Sequence, residues 1–207
     1  MIICNFCKKE YEDCYIVNGL CLYCSARLNR IPEIYKSCSF DNFILNTSNR
    51  EALALARRFH TTKRGLYLYG TVGSGKTHLA ISILKDLISK GKSVNMVIIP
   101  DLLMSIRDSF KTGNSLESDL IELYKKGYLL FDDLGSEKIT DFSVQMIYKL
   151  FNRRYIDNQH NIIITSNLSL KELAESMNDR IASRIAGMCD IIQINDKDYR
   201  LKTKKSL

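Results

Sequence analysis

The chain has 207 residues, 45 % of them apolar, and a formal charge of +7. That length supports one well-buried core with a small appendage, and the basic excess admits an acidic partner such as nucleic acid without identifying one. No basic stretch leading into an apolar segment opens the chain, and no run approaches the roughly 18 apolar residues that span a bilayer. These features argue against secretion or membrane insertion and point to the cytoplasm.

In a reducing compartment the seven cysteines matter for their spacing more than their number. Cys4-x2-Cys7 and Cys21-x2-Cys24 flank a polar, hairpin-like stretch with Gly19 before the second pair. A Cys-x2-Cys turn aims two thiolates at one centre, and two such turns complete a tetrahedral S4 site suited to Zn2+. A segment this short buries no core of its own, so metal would supply its folding energy, and the ion would be structural. Cys14 could replace one of the four ligands. Cys38 and Cys189 are left over.

Residues 31–50, with Pro32, read as a linker after a zinc module spanning 1–30. Helical apolar spacing follows over 49–60, with Asn49 a plausible N-cap. After Gly65 the pattern alternates. Strands are expected at 66–69, 93–99, 128–132, 161–165 and 190–194, and helices at about 76–89, 100–110, 115–126, 141–157 and 169–186. Ser169 and Glu172 form a capping-box pair at the start of the last helix. Strands separated by helices imply right-handed crossovers and a mostly parallel five-stranded sheet covered on both faces, a three-layer α/β fold.

Residues 70–77 read Gly-Thr-Val-Gly-Ser-Gly-Lys-Thr between a strand and an amphipathic helix. This is the P-loop pattern in its proper context. The candidate nucleotide-binding residues are Gly70, Thr71, Val72, Gly73, Ser74, Gly75, Lys76, Thr77 and His78. Glycines let backbone N–H groups face phosphates, and the helix adds its positive end. Lys76 can reach the β- and γ-phosphates, and the Thr77 hydroxyl can ligate Mg2+. A metal carboxylate is then required. The strand "GYLLFDDLG" ends in Asp132, the expected Mg2+ partner through water, and Asp133, the candidate base for a nucleophilic water. An Asp base is shorter than Glu, so slow turnover is expected. "NIIITSNLS" ends in Asn167, whose amide could bond that water or the γ-phosphate; a plain strand-end turn with an N-cap is the other reading.

These residues assemble into a family pattern. "YLYGTVGSGKTHLA", "LLFDDLGSEK", "LFNRRY", "IIITSNLSLKEL", "DRIASRI" and a closing Asp-Tyr-Arg occur in order. The sequence resembles the AAA+ ATPases of the DnaC-type helicase-loader and IstB-type transposition-helper group. The resemblance implies an ATPase domain over 51–200, followed by a basic tail at 201–207. It also implies that the 161–165 strand lies between the P-loop strand and the Asp132 strand, with Asn167 at the sensor beside the γ-phosphate. Arg180 and Arg184 match a basic pair near the subunit interface, one of them an arginine finger for a neighbour's ATP. Arg200 matches a second-sensor arginine.

The partners implied are DNA, single-stranded before duplex, a replicative helicase or a transposase, and further copies of the chain when ATP is bound. No membrane partner is expected. The insertion after the second strand resembles the region with which loaders contact single-stranded DNA, with Arg107, Lys111, Lys125 and Lys126 as basic candidates. Glu117, Asp119 and Glu122 interrupt that charge, so a solvated helix pair is the competing reading.

Overall fold

Every apolar run expected as a strand after Gly65 is one in the computed structural model of the chain, which describes residues 1–6, 8–11, 16–17, 20–21, 24, 28, 31–112 and 127–199. The main sheet comprises β5 (Gly65–Tyr69), β6 (Val94–Ile98), β7 (Tyr128–Leu134), β8 (Ile162–Ser166) and β9 (Cys189–Gln193). All pairings are parallel, in the order β6-β7-β8-β5-β9. β8 therefore lies between β5 and β7, as the resemblance implied. Ahead of this sheet, β1 (Ile2–Ile3) pairs antiparallel with β2 (Glu10–Tyr11), and β3 (Ile16–Val17) with β4 (Leu20–Cys21).

The α-helices with both ends among the described residues are α1 (Arg50–Arg57), α2 (Lys76–Ser89), α3 (Ile99–Thr112), α4 (Asp141–Ile156), α5 (Leu170–Ser176) and α6 (Asp179–Met188). Successive strand residues point to opposite faces, and the core divides accordingly. Leu66, Leu68, Leu130 and Ile163 pack with residues of α1 and α2. Tyr67, Leu129, Phe131, Ile162 and Ile164 pack with residues of α3 to α6. Each buried Leu, Ile or Phe is worth roughly 1.5–3 kcal/mol, so these two layers dominate the stability. Among the described residues no helix is long and apolar enough to cross a membrane.

Two expectations need correction. The single helix expected over 169–186 is two helices. The Ser169–Glu172 capping box starts α5 as read, but the chain leaves the helix at Met177, and Asn178 caps α6 by accepting from the Arg180 N–H at 2.7 Å. Asn49 occupies the N-cap position of α1 without capping it. Fully buried, its side chain instead accepts from the Asn46 N–H at 2.9 Å and donates to the Ile44 carbonyl at 2.9 Å. The helix expected at 115–126, with Glu117, Asp119, Glu122, Lys125 and Lys126, lies outside the described residues, as does the Lys111 side chain.

Two arginines finish the scaffold. Arg64 donates to the carbonyls of Ala186, Gly187 and Cys189 and pairs with Asp190 at 2.7 Å, closing the C-terminal end of α6. Arg154, 1 % exposed, donates to the carbonyls of Gly127, Gln159 and Asn161, tying α4 to the segments that enter β7 and β8. Burial draws its guanidinium down to about 10. Residues 31–43, read as part of a linker, are not free of the sheet domain. Ile31, Cys38 and Phe43 join the α1–α2 core, and Lys85 of α2 donates to the carbonyls of Lys36 and Cys38. Burial pushes the thiols of Cys38 and Cys189 up, which keeps both protonated and inert.

Candidate active site

The turn from β5 into α2 wraps so closely that side chains are excluded. Gly70 has φ +136, and a Cβ there would lie 2.2 Å from the Ile194 carbonyl oxygen; at Gly73 (φ +72) it would meet the Asp198 carboxylate at 1.9 Å. Only glycine takes such positions without strain. The Ser74 hydroxyl is buried with no hydrogen-bond partner among the described residues, a donor awaiting an acceptor. Lys76, 6 % exposed, bends back to donate to the carbonyls of Gly70 (3.0 Å) and Thr71 (2.7 Å). These features fit a phosphate chain, whose oxygens would take both donors.

Above the loop opens a cleft of about 460 Å3, lined by Gly73, Gly75, Lys76, Thr77 and His78, by Asp133 and Asn167, and by Tyr35, Cys38 and Tyr199. Its size suits a nucleotide. The His78 ring is held by the Ser39 carbonyl (2.9 Å) and stacks edge-on to Phe43.

The adjacent aspartates take different environments because β7 breaks register with β8 between Phe131 and Leu134. A bulge of this kind re-aims side chains. Asp132 turns inward and is 3 % exposed, and its Oδ1 accepts from Thr77 Oγ1 (2.9 Å) and Thr165 Oγ1 (2.6 Å). Burial pushes its carboxyl up, against the pull of those two hydrogen bonds. Asp133, with φ +64, turns outward to the cleft, while its N–H donates to Thr165 Oγ1 at 3.0 Å. A threonine hydroxyl beside a carboxylate is a donor set that fits Mg2+, which keeps several waters and takes one or two protein oxygens.

The remaining candidates divide. Asn167 lines the cleft with Lys76 and Asp133. Arg180 is exposed on the first turn of α6, and Arg184 donates to Asn152 Oδ1 at 3.0 Å with its guanidinium 4.5 Å from the Tyr155 ring centre. Neither lines the cleft of its own chain. Arg200 lies outside the described residues. Reading the sequence missed Thr165, which serves both aspartates, and Tyr199, Tyr35 and Cys38 in the cleft wall. Thr165 stood in view as a polar residue at a strand end and Tyr199 as the middle of the closing Asp-Tyr-Arg; Tyr35 and Cys38 carried no local signal.

At the N-terminus the Sγ atoms of Cys4, Cys21 and Cys24 lie within 4.8 Å of one another, all buried. Backbone N–H groups reach two of them, Cys21 N to Cys4 Sγ at 3.2 Å and Cys24 N to Cys21 Sγ at 3.4 Å. Three converging thiols with N–H support fit a thiolate metal site, whose fourth ligand would come from Cys7 or Cys14, both outside the described residues.

The comparisons agree with this geometry. A family model described as IstB-like ATP-binding protein matches residues 26–207. The replicative helicase loader DnaC of Escherichia coli K12 is 25 % identical over 161 residues, covering 75 % of this chain, and this chain spans only 65 % of the loader's length. An ATP-binding protein of insertion sequence IS5376 from Geobacillus stearothermophilus is 31 % identical over 161 residues, covering 75 % of this chain and 62 % of that protein. The crystal structure of a DnaC helicase loader superposes with a TM-score of 0.70 at 28 % identity, covering 79 % of this chain and 99 % of the other.

Proposed function

Because the chain belongs to the IstB-like ATP-binding protein family, we propose that it is a cytoplasmic, Mg2+-dependent ATPase that loads a replicative helicase onto single-stranded DNA. The observation that carries the ATPase reading is the cleft in which Lys76, Thr77, Asp133 and Asn167 face one space, with Asp132 bonded to Thr77. Water attacks the γ-phosphorus in line, and the bond to the β–γ bridging oxygen breaks to release ADP. Asp133 receives the proton of the attacking water, and Asn167 orients that water. Lys76 exchanges its two loop carbonyls for the β- and γ-phosphates. Thr77 and, through water, Asp132 would hold Mg2+, which supplies positive charge against the phosphate oxygens. Arg180 or Arg184 of a neighbouring copy, with Arg200 in cis, adds charge to the transition state, so the ATP-bound form is an oligomer.

In this reading residues 1–30 are a zinc-binding module, 31–50 a linker that packs into the ATPase domain through Ile31, Cys38 and Phe43, 51–200 that domain and 201–207 a basic tail. The helicase assignment rests on the loader relatives. One observation favours a second reading, a helper that assembles on duplex DNA and assists a transposase. The insertion-sequence relative is 31 % identical, against 25–29 % for the loader relatives.

Lys76→Ala should abolish ATP binding, whereas Asp133→Asn should bind ATP and lose turnover; normal hydrolysis in Asp133→Asn would remove Asp133 as the base. For the partner, the immobilised full chain with ATP is offered the purified replicative helicase and a transposase encoded beside its gene. Its affinity for single-stranded and duplex DNA is measured alongside. Retention of the transposase alone, with a preference for duplex, overturns the loader reading.

A further inference from the structure

Residues 196–199 lie across the phosphate loop and connect it to the segment leading from the N-terminal cysteines. On the loop side, Thr71 Oγ1 donates to the Asp196 carbonyl (2.8 Å) and accepts from the Asp196 N–H (3.2 Å). The Tyr199 N–H donates to the Gly73 carbonyl at 3.2 Å, and the Asp198 carboxylate fills the space beside Gly73. On the other side, the Asn46 amide donates to the Asp196 carboxylate and to the Tyr199 hydroxyl (3.0 Å), and that hydroxyl donates to the same carboxylate. Ser48 adds a bond to the Asn195 carbonyl at 2.8 Å. Asn46 in turn organises its own loop: its Oδ1 accepts from the N–H groups of Ser48 (2.9 Å) and Asn49 (3.0 Å).

We propose that Asn46, Asp196 and Tyr199 form a clasp that positions the phosphate loop and reports its occupancy to residues 44–49. The inference rests on the nucleotide reading of residues 70–77. Its physical basis is a continuous chain of hydrogen bonds that starts at the lysine. Lys76 Nζ holds the Thr71 carbonyl at 2.7 Å, the Thr71 hydroxyl holds Asp196, and Asp196 holds Asn46. A phosphate chain draws the Lys76 ammonium off the Thr71 carbonyl, and Thr71 is the residue to which the clasp is bonded twice. A change at Thr71 therefore reaches Asn46 through one residue, Asp196. Asn46 and Asp196 are positioning residues, since they act through Thr71 and Tyr199 and do not line the main cleft.

The test is amide hydrogen exchange on the full chain, with and without saturating Mg2+ and a non-hydrolysable ATP analogue. In the wild type, nucleotide should change exchange at both 70–77 and 44–49 by about fivefold or more. In Asp196→Ala, and independently in Asn46→Ala, the change at 70–77 should persist at saturation while that at 44–49 is lost. Tyr199→Phe, which removes only the hydroxyl, should give an intermediate loss. The two alanine variants guard against one failing to fold, and thermal melting checks each. An equal response at 44–49 in the folded variants overturns the clasp, as does a wild type that responds at 70–77 alone. A wild type silent at 70–77 instead sinks the nucleotide reading beneath it.

Discussion

The hydroxyl of Thr165 donates to Asp132 Oδ1 over 2.6 Å while its oxygen accepts the backbone N–H of Asp133 at 3.0 Å. One side chain from β8 thus fixes both the buried carboxylate and the backbone that presents its exposed neighbour. Partners of this kind, one step removed from a metal or a reacting group, typically contribute 10–100-fold to affinity or activity. Thr165→Val keeps the shape and removes the hydroxyl. It should lower kcat about 10- to 100-fold with ATP affinity within a few-fold of wild type, and Thr165→Ser should recover most of the loss. Steady-state ATPase assays with a parallel binding titration decide the point. A valine variant with unchanged kcat would leave Thr165 a packing residue.

Asp132 links stability to pH. Burial raises its carboxyl above the ordinary carboxylate range, so without Mg2+ the folded chain holds this proton more tightly than the unfolded chain. The contribution is fully present below the unfolded value and is lost as pH rises through the folded one. Asp132→Asn keeps an oxygen for Thr77 and Thr165 and removes the buried charge. Without metal it should melt higher than wild type at pH 8, with the gap narrowing toward pH 4, while Mg2+-dependent hydrolysis is lost. Thermal melts across that range, run in EDTA, test the sign; a variant that melts lower at pH 8 refutes it.

What could be read from sequence follows from how local each signal is. Gly70 to Thr77 are consecutive, and the Asp132-Asp133 pair ends an apolar run, so chemistry and position are written together. The α5–α6 break was also local, in Asn178-Asp179, but the apolar spacing on either side concealed it. Thr165 acts on an oxygen 33 residues away and Asn46 on one 150 residues away, so only the sheet order and the path of the chain across the loop bring them together. Arg64 and Arg154 counted in the sequence as part of the basic excess. In the fold they bond backbone carbonyls at the end of α6 and at the entry to β7 and β8, and the buried Arg154 adds nothing to an acidic partner's landing surface.

Arg180 and Arg184 lie outside the cleft of their own chain, which is where a residue serving a neighbour belongs. Arg184 also packs on Tyr155 and bonds Asn152, so its removal carries a structural cost that Arg180→Ala, on an exposed position, does not. Each alanine variant should hydrolyse ATP about 1,000-fold or more slowly if it is the finger, since such arginines supply 10³–10⁵ in rate elsewhere. Mixing it with Lys76→Ala should restore activity, because one subunit then supplies an intact cleft and the other an intact arginine. ATPase activity of mixtures shown to co-assemble is the measurement; no recovery for either arginine refutes service in trans.

The cysteine cluster should hold a metal ion. A tetrahedral Zn2+ with Zn–S near 2.3 Å separates its sulfurs by roughly 3.8 Å, inside the 4.8 Å within which Cys4, Cys21 and Cys24 gather. The purified chain should carry one zinc, released by a chelator with a fall in melting temperature, since metal binding and folding of so small a module are one equilibrium. Cys21→Ser should lose the zinc outright. The fourth ligand separates Cys7 from Cys14: the Cys-x2-Cys spacing expects Cys7→Ser to lose zinc and Cys14→Ser to keep it. Zinc retained in Cys7→Ser and lost in Cys14→Ser would move the ligand to Cys14. Full zinc content in Cys21→Ser would show that the three thiols gather for packing alone. Because the phosphate loop lies on a separate part of the chain, Cys21→Ser should still bind ATP. Loss of nucleotide together with zinc would mean that the N-terminal cysteines support the sheet domain itself, which the shared packing of Cys4, Cys24 and Ile31 with α2 makes a measurable alternative.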